Sequence, residues 1–171
     1  MRSLITFFAV VGLILISRWI PHPANFTALI AMAIFSGSYW ANRSVRFVAP
    51  LLAMVISDLV FGFYPGIELN YLAVVMCVLL APTLEAPLFT ILGRSAVASV
   101  VFFIVSNLGV WISAGLYPQT FEGLKSCFVM AIPFYPATLT SALFYSTLCF
   151  AVYRLTSAKK GFEGFLKPKY G

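Results

Sequence analysis

Charge is scarce in this sequence: only 9% of its 171 residues are Asp, Glu, Lys or Arg, and acids account for five positions. A soluble domain carries roughly 25% charged residues. So small a polar set cannot clothe a water-exposed surface, which excludes a soluble globular protein. Histidine occurs once, at His22, and the three cysteines, Cys77, Cys127 and Cys149, stand far apart with no C-x-x-C pair. A disulfide framework needs paired cysteines and a zinc centre needs several His, Cys or carboxylate ligands at short spacing. Neither a disulfide nor a metal is therefore expected, and the cysteines read as small packing residues. Walker A, H-E-x-x-H and G-x-S-x-G patterns are also missing, as is a relay of several acids. The chain is thus not expected to be an enzyme, to carry a cofactor or to hydrolyse ATP by itself.

What the sequence has is apolar length. Hydrophobic residues make up 61% of it and aromatics 16%, with a mean hydropathy of +0.98. Six apolar segments can be marked: Leu4 to Ile20, Ala28 to Ala41, Val48 to Tyr64, Tyr71 to Leu84, Ser95 to Ser113 and Ala137 to Arg154. They read as helices because the apolar runs are continuous and lack the ten-residue alternation of a membrane barrel strand. Some fall short of the roughly 20 residues a perpendicular span requires, so a run such as Ala28 to Ala41 must borrow polar flanks, sit inside the bundle or stop short of one surface. The first segment resembles a signal peptide, but Ser17-Arg18-Trp19 offers no small-x-small cleavage site, and a retained helix is expected. The long connection from Gly115 to Pro136 predicts a short helix over Phe121 to Ile132, ended near Pro133. The expected architecture is an all-α membrane protein: a six-transmembrane-helix bundle over residues 1–155, followed by a basic cytoplasmic tail over 156–171.

The net charge of +6 points to lipid and not to nucleic acid, because its basic residues sit at the ends of apolar runs and in the tail. Alternating six helices from a cytoplasmic amino terminus puts Arg2, Arg43, Arg46, Arg94, Arg154, Lys159, Lys160, Lys167 and Lys169 inside, and only Arg18 and Lys125 outside. That asymmetry predicts both termini in the cytoplasm. The outer connections are then RWIPHPANFT, FYPGIELN and GLYPQTFEGL, each with proline and with hydrogen-bonding or aromatic side chains. The inner ones are short and basic or mostly apolar.

Several polar groups inside apolar segments need a reason. Asp58 lies near the outer end of the third segment, where a carboxylate is costly and faces the protein interior: it reads either as an interhelical hydrogen bond or as a ligand group. Asn107, with Ser106, reads as interhelical glue or as a binding amide, and Trp111 falls on the same helical face four residues later. His22 is flanked by two prolines. Asn25 or Thr27 is a candidate cap for the second helix. Ala33 and Gly37 form a small-x-x-x-small pair, suited to packing inside the bundle or to docking another membrane subunit.

The stretches IPHPANFTALIAMAIFSG, LLAMVISDLVFG and SNLGVWISAGLYPQTFEGLKSCFVMAIPF resemble a family of uncharacterised bacterial membrane proteins grouped loosely with the S components of energy-coupling factor (ECF) vitamin transporters. The resemblance covers nearly the whole chain. It implies a substrate-capturing protein of the bacterial inner (cytoplasmic) membrane that docks on a transmembrane coupling subunit served by two ATPases. S components dock through an alanine-x-x-x-alanine pattern on the first helix. Here Leu13 follows Ala9 at that spacing, so docking would fall to the Ala33/Gly37 face, or the protein works without that module.

Two functions are therefore expected in turn. The first is uptake of a small vitamin-like molecule, with His22, Asn25, Asp58, Asn70, Tyr71, Asn107, Trp111, Tyr117 and Glu122 as its polar groups and aromatic walls. Sites of that sort combine apolar walls with a few placed polar groups. The alternative is a structural or accessory subunit of a larger membrane complex.

Overall fold

A computed structural model describes the backbone of residues 2–166 and the side chains of residues 3–158. Lys167 and Lys169 of the expected tail lie outside the described residues. The described chain is all-helical: α1 Arg2–Trp19, α2 Leu29–Tyr39, α3 Arg43–Phe61, α4 Ile67–Leu79, α5 Leu88–Ser113, α6 Phe121–Ala131 and α7 Tyr135–Leu166. Three helical stretches, Arg43–Phe61, Leu88–Ser113 and Phe121–Ala158, are long and apolar enough to cross a membrane, while Ser3–Trp19, Leu29–Tyr39 and Ile67–Leu79 are shorter apolar helices. Large apolar side chains such as Leu4, Phe8, Leu59, Leu72, Phe89 and Met130 point outward on these helices. Such a surface belongs in lipid, and the chain is a membrane protein.

The shortest of these helices has a physical reason. Every residue of α2 from Leu29 to Ser36 is buried, as expected of a helix that is apolar on all sides. The helix packs against α1, α3, α4, α5 and α7. It is the axis of the bundle, and its walls of protein relieve it of the need to match bilayer thickness. Its close fit to α4 depends on Gly37, where a Cβ would lie 2.3 Å from the carbonyl oxygen of Val78. Of the two readings of Ala33 and Gly37, packing inside the bundle and docking of another subunit, this contact belongs to the first. Ala33 is wholly buried and Gly37 meets α4, so the small-residue stripe is spent inside the chain.

Capping also differs from expectation. The residue before α2 is Ala28, and neither Asn25 nor Thr27 caps it. Instead Ser17 of α1 accepts a hydrogen bond from the Ala28 amide at 3.0 Å, while Asn25 takes a left-handed conformation with φ of 65°. The sequence rule assumes a local cap; here a neighbouring helix supplies the acceptor. For α3 the cap is local, with Asn42 accepting from the Ser44 and Val45 amides.

The short helix expected between the fifth and sixth segments is present as α6, capped by Thr120. Pro133 has no N–H to give to an α-helical bond, and the chain tightens there into a 3-10 turn, Ile132–Phe134, before continuing directly as α7. Helix α5 begins at Leu88, before the expected Ser95, and α7 runs past the expected boundary at Thr156. Both extensions cross polar residues that an apolar-run criterion stops at.

Candidate functional site

The carboxyl ends of α1, α3 and α5 and the amino ends of α2, α4 and α7 meet at one end of the bundle, around a cavity of about 410 Å³. One of its lining residues, Arg18, belongs to a bridge. Arg18, at the end of α1, donates from Nη2 to Asp58 Oδ1 at 3.1 Å. Tyr71, on the second turn of α4, donates its hydroxyl proton to the other carboxylate oxygen, Oδ2, at 2.8 Å. Asp58 is 1% exposed, so α1, α3 and α4 are joined through one buried carboxylate whose two oxygens are both occupied. Ion pairs of this kind contribute little net stability when intact, yet removing one partner typically costs about 3–5 kcal/mol because the other charge is left buried alone.

In front of this bridge the cavity is lined on one side by Arg18, His22, Asn25 and Thr27, and on the other by Ser106, Asn107, Thr138 and Ser141, with Tyr64 and Asn70 from the α3–α4 region. Leu29, Ile30, Met54, Phe61, Phe102 and Val110 complete it with apolar surface. The Asn70 amide donates to the Tyr64 hydroxyl. Burial, then the negative charge of Asp58, pushes the Tyr64 phenol above its ordinary value, against the opposing effects of the Asn70 hydrogen bond and Arg18. The phenol therefore stays protonated at neutral pH.

Of the side chains expected at a site, His22, Asn25, Asn70 and Asn107 line this cavity. Asp58 and Tyr71 stand behind it, as a strut that holds Arg18. Trp111, Tyr117 and Glu122 are not among its lining residues. Trp111 donates its indole N–H to the Pro118 carbonyl at 3.0 Å and so braces the turn into α6; Glu122 is an exposed residue in the first turn of that helix.

Arg18, Thr27, Tyr64, Thr138 and Ser141 line the cavity without having been expected as site residues. Arg18 had a signal: it is one of only two basic residues assigned to the outer side, facing the chain's single aspartate. Thr138 and Ser141 are three residues apart and share a helical face near the start of α7, but hydroxyls in membrane helices commonly bond their own carbonyls and give no distinct pattern.

Among the described residues no three His, Cys, Asp or Glu side chains come together to hold a metal ion. The lining can do two things chemically: accept and donate hydrogen bonds around its rim, and enclose an apolar body between Phe61, Met54 and Phe102. No curated protein matches the chain, and no solved structure does. Those comparisons therefore lend nothing to the resemblance to S components. The match that exists is to a family described as a family of unknown function (DUF6580), whose model spans residues 1–164, and the chain belongs to that family.

Proposed function

We propose that this protein is a membrane-embedded substrate-binding protein for uptake of a small vitamin-like molecule in the bacterial inner membrane. It would be of the S-component type, energised by partner ATPases through a coupling subunit. The observation that carries this reading is the cavity of about 410 Å³ in which polar side chains from four helices and two connections converge on apolar walls. Binding sites for small molecules have that composition and lie between helices of bundles. The basic asymmetry of the connections supports an outer position for the cavity, where an uptake protein would capture its substrate. Native mass spectrometry of the full chain, released from mild detergent, tests it: the expected result is a retained small molecule that leaves on mutation of cavity residues. A protein that carries no small molecule and emerges only in stoichiometric association with other membrane subunits would sink the uptake reading.

One observation favours the accessory-subunit reading as a second. An apolar groove of about 720 Å³ runs over α2 between α1 and α7, lined by Ile5, Ala9, Leu13, Phe35, Leu148 and Val152 among others. A groove of that size suits a neighbouring membrane helix as well as lipid.

A further inference from the structure

The hydroxyls that line the cavity from α5 and α7 have directed their protons to helix carbonyls. On α5, Ser106 donates to the Phe103 carbonyl at 3.4 Å, and Asn107 donates to the same oxygen from Nδ2 at 2.7 Å. On α7, Thr138 donates to the Phe134 carbonyl at 3.3 Å, and Ser141 donates to the Thr138 carbonyl at 3.0 Å. A hydroxyl has one proton and two lone pairs. Ser106, Thr138 and Ser141 therefore have only lone pairs left, and Asn107, with one amide proton spent, presents its Oδ1 and its second N–H. His22 follows the same pattern: its Nδ1 lies 2.7 Å from the Pro23 carbonyl, which can only accept. The ring proton thus sits on Nδ1, and Nε2 of the neutral ring is an acceptor.

Arg18 is the opposite. A guanidinium has five N–H donors and no acceptor, and Arg18 gives one of them to Asp58. Its remaining donors are available where it lines the cavity. The positive charge is matched by Asp58, so the site as a whole favours neither a bare anion nor a bare cation. A wall of acceptors on α5 and α7 faces donors at the end of α1, with Phe61 and Phe102 between.

We propose that the ligand of this cavity is a small amino-carboxylate: N–H donors at one end for the acceptor wall, a carboxylate at the other for Arg18, and an apolar body between. This rests on the uptake reading and narrows its substrate class. A ligand lacking the N–H groups would leave buried acceptors unpaired, at about 1–3 kcal/mol for each.

The test uses the purified full chain in detergent and four probes that share one benzene ring: 4-(aminomethyl)benzoate, its trimethylammonium analogue, its methyl ester, and 4-methylbenzoate. A single ring with two short arms is small enough for the cavity. Binding is read by calorimetry and by the rise in thermal midpoint. The aminomethyl acid is expected to bind, and the trimethylammonium analogue, which keeps the charge and loses the N–H groups, to bind about tenfold more weakly or worse. Thr138→Val with Ser141→Ala should weaken the aminomethyl acid and leave 4-methylbenzoate unchanged. Arg18→Met with Asp58→Asn, which removes both charges together, should erase the preference for the acid over its ester. If the aminomethyl acid fails to bind, or binds no better than the trimethylammonium analogue, the assignment is overturned. Equal binding of 4-methylbenzoate also overturns it while leaving the uptake reading standing. The uptake reading falls separately, if native mass spectrometry finds no small molecule on the protein.

Discussion

Asp58 shows how far a single residue can be read before its neighbours are known. That a lone aspartate in an apolar segment faces inward follows from the cost of a charge in lipid, roughly 2.5–3.5 kcal/mol at a helix centre. Its partners are 40 and 13 positions away, at Arg18 and Tyr71, and no local spacing points to them. Asp58→Ala is expected to lower stability by about 3–5 kcal/mol, since it leaves Arg18 without its counter-charge. The paired change Arg18→Met with Asp58→Asn should recover most of that loss, and chemical unfolding in detergent measures both. Equal destabilisation by the single and paired variants would mean that the bridge does not couple the two residues. Tyr71→Phe removes one hydrogen bond to a charged acceptor and is expected to cost about 1.5–3 kcal/mol by the same measurement. The polar lining was legible as amides and a histidine in outer connections and helix ends. Tyr64, Thr138 and Ser141 were not, because ordinary hydroxyls acquire meaning only from the wall they share.

At the scale of helices, the positions of the apolar segments were legible and their ends were not. Apolar runs mark where lipid or core is met, but a helix continues through polar residues as long as its backbone bonds can be made, which carries α5 back to Leu88 and α7 past Thr156. Pro133 was legible as a break because it removes a donor; that the break is a single 3-10 turn and not a loop was not. Glycine gives a sharp contrast between two helices. A side chain at position 37 collides with the backbone of α4, whereas a Cβ at Gly12 of α1 meets nothing within 4 Å. Gly37→Leu is therefore expected to abolish recovery of folded protein. Gly12→Ala should raise stability by about 0.5–1 kcal/mol, as alanine does inside a helix. Size-exclusion profiles and thermal midpoints distinguish the two, and a well-folded Gly37→Leu protein would contradict the packing of α2 on α4. Ser17→Ala removes the acceptor that α1 lends to α2 and should cost about 1 kcal/mol in the same assay.

For the molecule as a whole, composition alone gave the solvent: a chain with 9% charge and 61% apolar residues has nowhere to fold but lipid. Which short helix would be the axis was not legible, because α2 and α4 have similar apolar content and differ in what surrounds them. Orientation rests on the basic residues, and it is open to direct measurement. Cysteines placed at position 24, in the connection before α2, and at position 43, at the start of α3, should be labelled from opposite sides of intact cells, the first by an impermeant reagent from outside. Labelling of position 43 alone would invert the assignment and turn the cavity toward the cytoplasm. One contact limits how that cavity can change its width. Gly66, just before α4, and Gly109 of α5 approach so closely that a Cβ on either would lie within 2.7 Å of the other's carbonyl oxygen. Helices α4 and α5 are thus fastened backbone to backbone at the rim, with no side chain between them to swing aside. Any change in the width of the cavity is thus left to its other walls, among them the stretch from Arg18 to Thr27.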